Sequence, residues 1–277
     1  MDETAPPTDH GHEWRLIREE SRPGPMQMAL DEVAAETAAT GGPRTVRLYR
    51  WEPSCLSLGY HQEPDTVDWE WCATAGVDVT RRPTGGGGIY HDSFGDISYS
   101  ITAPREELPG NLMDCYHYLL APVLTAFESL GAPVEFVDRE VPALYDPACY
   151  LRALNPAHDL VVSGTSRKVS GNAQYRQRDA VVQHGSVTFS TRPDRHLATF
   201  AGPEVTPDAF AERVTGLDEH TDASREESVA AFEEALAEWS GAEAGAWTDD
   251  ELSRARERVE EKYAADEWVR RQPRARS

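Results

Sequence analysis

Residues 97–101 read Ile-Ser-Tyr-Ser-Ile, apolar at every second position, while Leu112, Tyr116, Leu119, Val123, Phe127 and Leu130 recur at helical spacing. Two incompatible periods in one chain restrict it to folds that pack helices on a sheet. Residues 45–50, 77–81, 160–162, 168–175 and 180–189 also read as strands, and 97–101 as a half-buried one. Residues 163–166, Ser-Gly-Thr-Ser, suit a hairpin turn. Residues 25–37 carry Met26, Leu30 and Val33 on one helical face, and Gly131 can end the helix begun near Leu112. Val229, Phe232, Leu236 and Trp239 form a third stripe, residues 252–263 a charged fourth helix, and the chain after about Thr191 is mostly helical. The expected fold class is α+β: a mixed sheet with helices packed on it and a helical C-terminal tail. One domain over 14–270 is expected, preceded by a disordered acidic leader over 1–13.

Composition excludes several functions. Of 27 Lys and Arg residues only Lys168 and Lys262 are lysines, against 48 Asp and Glu, for a formal net charge of −21. That balance disfavours nucleic-acid binding. Acidic residues spread along a lysine-poor chain fit a high-salt cytoplasm, where at ~1 M salt the screening length falls to about 3 Å. No run of about 18 apolar residues suggests a membrane span, and the polar start is unlike a signal peptide, so a cytoplasmic address is expected. Cys55, Cys72, Cys115 and Cys149 show neither CxxC pairs nor zinc-ligand spacing.

Three segments carry chemistry. The first is Arg81-Arg82-Pro83-Thr84-Gly85-Gly86-Gly87-Gly88-Ile89-Tyr90-His91-Asp92. Four glycines let backbone N–H groups approach a phosphate or carboxylate, and a flanking arginine adds charge-assisted bonds. No Gly-Lys-Ser/Thr follows and no helix opens, so the segment is neither a P-loop nor a dinucleotide fingerprint; a flexible surface loop is the bland alternative. The second, residues 166–174, holds Lys168 on a strand followed by small residues, including Gly171 and Ala173. An ammonium there can meet an acyl carbonyl or α-phosphate as negative charge develops; an exposed strand lysine is the alternative. The third is Gln183-His184-Gly185-Ser186, where a lone histidine more often serves structure than catalysis. Cys149, shortly before the lysine segment, is either a small hydrophobe or a nucleophile.

Taken in order, these segments resemble the lipoate–protein ligase and octanoyltransferase superfamily. The matching stretches are 81–87 with His91-Asp92, then 167–174, then His184-Gly185. The resemblance runs from Trp14 through Met28-Ala29-Leu30-Asp31-Glu32, Trp51-Glu52-Pro53 and Leu58-Gly59-Tyr60 to Lys262-Tyr263-Ala264-Ala265-Asp266-Glu267-Trp268. It implies a biotin/lipoate-ligase-like catalytic domain related to class II synthetase cores, with helices on one side of a mixed sheet. It also implies substrate or nucleotide contacts from Arg81, Arg82, Thr84, Gly85, Gly86, Gly87, Gly88, Ile89, Tyr90, His91, Gly171, Ala173, His184 and Gly185. The implied acceptors are lipoyl domains of 2-oxoacid dehydrogenases or the glycine-cleavage H protein.

Two mechanisms follow from the resemblance. In a ligase, ATP and Mg²⁺ activate lipoate as lipoyl-adenylate, Lys168 meets the carbonyl and α-phosphate, and Arg82 with residues 87–90 meets the nucleotide. In a cysteine-dependent transferase, Cys149 takes octanoyl from an acyl carrier protein and no cofactor is needed. The Cys149-Tyr150 pair and the 262–268 tail are similar to such transferases. Gly85–Gly88, where they carry Gly-Gly-Arg-Gly, and His-Asp-Ser-Phe-Gly-Asp are more similar to ligases. Many high-salt organisms are archaea lacking a conventional acyl-carrier supply, so the ligase is the expected activity, with a separate accessory chain to replace a missing C-terminal domain. A biotin ligase lacks its Gly-Arg-Gly-Arg-type loop here, and a non-catalytic lipoyl-binding module would gain nothing from Lys168. Because the acceptor domain is also expected to be acidic, acylation should rise with salt; a flat rate–salt profile would contradict the screening argument.

Overall fold

The computed structural model describes residues 13–271. The leader expected over 1–13 therefore lies outside the described residues, Glu13 excepted. The chain runs β1 (Trp14–Arg22), α1 (Gly24–Ala39), β2 (Arg44–Trp51), β3 (Cys55–Leu58), α2 (Trp69–Thr74), β4 (Asp78–Arg81), β5 (Ile89–His91), β6 (Asp96–Pro104) and α3 (Leu112–Ser129). It continues through β7 (Val134–Phe136), β8 (Leu160–Val162), β9 (Lys168–Arg176), β10 (Ala180–Thr188), α4 (Pro193–Ala198), α5 (Pro207–Arg213) and α6 (Arg225–Ser240). β11 (Glu243–Ala244), α7 (Asp249–Arg258) and α8 (Asp266–Val269) complete it.

The eight-stranded sheet has the order β11-β1-β2-β6-β10-β9-β8-β7, parallel from β11 to β2 and antiparallel beyond. A second sheet, β4-β3-β5, carries the glycine run between its edge strands. The fold class is the expected α+β with a mixed sheet. The hairpin turn lies where the sequence puts it, with Gly164 at φ +72° between antiparallel β8 and β9. Gly131, at φ +72°, follows the end of α3.

Helices cover both faces of the large sheet, not one. Val46 and Leu48 of β2 pack with α3 and α6, through Leu119, Val123, Phe127 and Phe232. The alternate residues Tyr49 and Trp51 pack with Met28, Leu30 and Val33 of α1. β6 is consequently buried along its whole length rather than half-buried. Its serines face α1 and the interior: Ser100 Oγ donates to Asp31 Oδ1 at 2.7 Å, and Trp51 Nε1 donates to Ser98 Oγ at 2.9 Å. A period-2 pattern of apolar and small polar residues marks a two-sided strand when the polar face meets buried partners instead of water.

The charged fourth helix starts at Asp249 and changes after Arg258 to a π-helical turn, Val259–Tyr263. This tail is fastened to α1: Arg258 pairs with Glu32 and Glu36, and Lys262 Nζ lies 2.8 Å from Glu32 Oε2. Among the described residues no helix is long and apolar enough to cross a membrane.

Candidate active site

Arg81, the last residue of β4, and Arg82, which follows it, point to opposite sides, as alternation in an extended chain requires. Arg81 turns away from the glycine loop. Its fully buried guanidinium donates to the carbonyls of Gly59 (2.7 Å), Gln62 (2.8 Å), Trp268 (2.9 Å) and Val269 (3.1 Å). It is a brace between the small sheet and the C-terminal tail, not the substrate or nucleotide contact expected of it. Arg82 faces inward and shapes the loop, donating to Ser57 O (2.7 Å), Gly85 O (2.9 Å) and Gly87 O (2.7 Å).

Glycine is required here by close approach. Gly86 has φ +92°, and a Cβ on Gly59 would lie 1.9 Å from Gly86 O. A Cβ on Gly87 would meet Pro147 O at 2.5 Å and Cys149 N at 2.8 Å. The loop thus lies against the segment bearing Cys149. Two backbone bonds join them, Gly88 N to Pro147 O (2.7 Å) and Cys149 N to Gly88 O (2.8 Å). Gly87 and Gly88 therefore position Cys149 and do not line the cavity. Tyr90 also points away, its hydroxyl donating to Asp92 and accepting from Arg195 Nε at 2.7 Å.

The remaining expected residues converge. Arg82, Thr84, Gly85, Gly86, Ile89, His91, Cys149, Lys168, Gly171, Ala173, His184 and Gly185 all line one cavity of about 500 Å³. Lys168 is 2% exposed, not a surface strand lysine. Its Nζ sits 2.6 Å from Asp159 Oδ1. Gly171 leaves the room for it: a Cβ there would lie 3.3 Å from Nζ. Burial opposes the charge on Lys168, but Asp159, then the Cys149 sulfur, raise its pKa above the ordinary 10.5. Burial would likewise raise the Asp159 carboxyl, yet Lys168 and then His158 hold it well below the usual carboxylate range. The pair is ionised at neutral pH.

Cys149 is the one partly exposed thiol among the four cysteines. Burial pushes Cys55 far up, Cys72 up to about 11, and Cys115 up, so those three are inert. The Cys149 sulfur would lie 3.8 Å from a Cβ on Gly86 and acts electrostatically on both Lys168 and Arg82. His91 is a fixed wall: Nδ1 meets Asp96, Nε2 lies 2.8 Å from Ser57 Oγ, and the ring stacks on Trp51 at 4.1 Å. Burial, opposed by Asp96, lowers its pKa below the ordinary value. Gly185 leaves space for the Tyr99 ring, whose hydroxyl donates to Asn172 Oδ1.

Sequence reasoning missed two carboxylates. Asp159 is legible through hairpin register, since Val161 pairs with Lys168 and brings its upstream neighbours back to the lysine. Asp31 sits on the buried side of α1 beside Leu30 and Ala34, where an acid needs a partner; Arg47 and His184 supply it.

Comparison with known proteins agrees with this arrangement. The model of the lipoyl protein ligase A/B catalytic domain matches residues 23–239. The chain belongs to this family. The chain is 32% identical over 276 residues to the octanoyltransferase LipM of Brevibacillus brevis, covering 92% of this chain and 98% of that protein. The octanoyltransferase LipM of Symbiobacterium thermophilum is 33% identical over 273 residues, covering 92% and 97%. Among solved structures, the bi-partite lipoate protein ligase of Thermoplasma acidophilum superposes with a TM-score of 0.79 at 23% identity, covering 96% of this chain and 99% of that one. A lipoate-protein ligase A bound with ATP gives 0.77 at 24%, covering 94% and 100%. These two likenesses establish the lipoyl-ligase fold.

Proposed function

We propose that the protein is a cysteine-dependent octanoyltransferase, moving an octanoyl group from an acyl carrier protein to a lysine of a lipoyl domain. The observation that carries this reading is the accessible Cys149 thiol set between the glycine loop and the Lys168 ammonium. Curated relatives named octanoyltransferases, alike over nearly their whole length, support it. The transferase thus takes precedence over the ligase that the sequence favoured.

The cations fit an ATP–Mg²⁺ triphosphate poorly. Arg82 has its fork occupied by three carbonyls. Arg152 is left, on the exposed rim. Transfer from a carrier thioester needs neither ATP nor an accessory chain.

In the first half-reaction the Cys149 thiolate, its charge balanced by Lys168, attacks the carrier thioester. The new C–S bond forms, the old one breaks, and the carrier thiolate leaves and takes up a proton from solvent. In the second, the acceptor amine attacks the Cys149 thioester; a C–N bond forms and the C–S electron pair returns to Sγ. Charge developing on the carbonyl oxygen meets Lys168 and the backbone N–H groups of Gly85 and Gly86, which no acceptor among the described residues occupies. Lys168 acts as a fixed cation, because Asp159 holds it protonated.

Incubation with an octanoyl carrier protein should add one octanoyl mass, labile to hydroxylamine, and Cys149→Ser should remove it. Lipoate-dependent pyrophosphate release from ATP that survives Cys149→Ser would overturn this reading in favour of the ligase.

A further inference from the structure

Resting on that reading, a second group is needed that its two steps do not supply. An acceptor lysine arrives as an ammonium and gives one proton to solvent to become nucleophilic; its amine loses a second as the amide forms. Lys168 cannot take that second proton, being held protonated by Asp159. Three histidines line the cavity: His91, His158 and His184. His91 has both ring nitrogens engaged, by Asp96 and Ser57. His158 shares the carboxylate that already neutralises Lys168, its Nδ1 3.5 Å from Asp159 Oδ1.

His184 differs. On β10, its Nε2 lies 2.9 Å from Thr84 Oγ1, at the start of the glycine loop. Its Nδ1 faces Asp31 Oδ2 at 3.6 Å. Arg47 and Ser100 both bind the other oxygen, Oδ1, at 2.8 and 2.7 Å. Oδ2 is left buried with no hydrogen-bond partner. A buried carboxylate oxygen without a donor calls for a reason, and among the described residues the ring nitrogen facing it is that of His184. We infer that Thr84, His184 and Asp31 form a proton relay that serves the acceptor amine in the second half-reaction.

With the Nδ1 proton directed at Asp31, Nε2 accepts from the Thr84 hydroxyl. That orients an oxygen lone pair of Thr84 into the cavity, two residues before Gly86, which lies beside the Cys149 sulfur. As the amine nitrogen bonds to the acyl carbon, its proton passes to Thr84 Oγ1 while the Thr84 proton passes to Nε2. The imidazolium then has Asp31 Oδ2 to meet its Nδ1–H. When the C–S bond breaks, the electron pair goes to Sγ as thiolate and the imidazolium proton leaves to solvent. Thr84 touches the substrate; His184 and Asp31 act through it. The charged groups around His184 are Asp31 on α1, Arg47 on β2 behind that carboxylate, and His91 on β5; Ser100 and Ala173 flank it on the neighbouring strands.

The two half-reactions separate the relay from the nucleophile. Octanoyl-Cys149 enzyme is prepared, mixed with a lipoyl domain, and its discharge followed by intact mass. Thr84→Val and His184→Gln should slow discharge by about 10²-fold, with a much smaller effect on loading from the carrier. Thr84→Ser, which keeps the hydroxyl, should restore most of the rate. Wild-type discharge by Thr84→Val, equal slowing of loading and discharge in both variants, or the same selective slowing in His158→Gln alone would each overturn the relay. If wild-type enzyme never loads, the covalent reading itself fails, and the relay with it.

Discussion

Lys168→Met is expected to lower octanoyl transfer by about 10²- to 10³-fold in kcat/KM, comparable to removing a preorganised oxyanion donor. The side chain brings a charge to the cavity with almost no reorganisation, because Asp159 fixes it at 2.6 Å and both side chains are 3% exposed. Lys168→Arg should recover little. A guanidinium is planar and longer, and the space beside Nζ is set by the missing Cβ of Gly171. Both half-reactions should suffer, since the same ammonium balances the Cys149 thiolate and the developing oxyanion. Octanoyl transfer to a lipoyl domain, measured beside thermal unfolding, checks this. A folded Lys168→Met protein with near-normal turnover would remove the lysine from the mechanism.

The sequence made the second lysine conspicuous for the same reason as the first. In a chain with 25 arginines a lysine stands out, yet the two serve different ends. Lys262 bonds Glu32 and lies over the Trp268 ring, fastening the tail to α1. Rarity marked a need for a compact ammonium in both places; it could not say which one meets substrate. The glycine run was legible as a place of close backbone approach. What approaches it is mostly protein: Gly87 and Gly88 receive the Cys149 segment, and Gly86 receives Gly59. A ligand loop and a loop that seats a nucleophile have the same local sequence, because both need absent side chains.

The adjacent arginines show the opposite difficulty. Arg81 and Arg82 are indistinguishable as residue types, but one residue of strand register separates a brace from a cavity wall. The serine-bearing strand β6 misled in a related way, since alternation reports polarity and not solvent. Asp31 and Asp159 do not read as site residues by their own positions, because a carboxylate's meaning depends on its partner. Each partner lies on a different element, Arg47 on β2 and Lys168 on β9.

Asp159→Asn is expected to cost about 3–5 kcal/mol of stability at neutral pH, the range for breaking a buried pair by removing one partner. The sign of its pH dependence is the sharper test. In the wild type the depressed Asp159 contributes stability above its unfolded value of 3.8, lost as pH falls through the lower folded value. The raised Lys168 contributes fully below its unfolded 10.5, lost as pH rises through the higher folded value. Between those limits the pair makes stability nearly independent of pH. Without the carboxylate, burial dominates Lys168 and pushes its folded pKa below 10.5 instead. The variant then binds fewer protons folded than unfolded, so its stability should rise with pH towards about 10. Urea unfolding at about pH 7 and 9.5 should therefore show the gap between variant and wild type narrowing by at least about 1 kcal/mol. Parallel profiles would mean that the ammonium had found another counter-charge, and the Cys149 thiolate is the group placed to supply it. In that case alkylation of Cys149 should accelerate in Asp159→Asn, tying the stability of the buried lysine directly to the reactivity of the thiol.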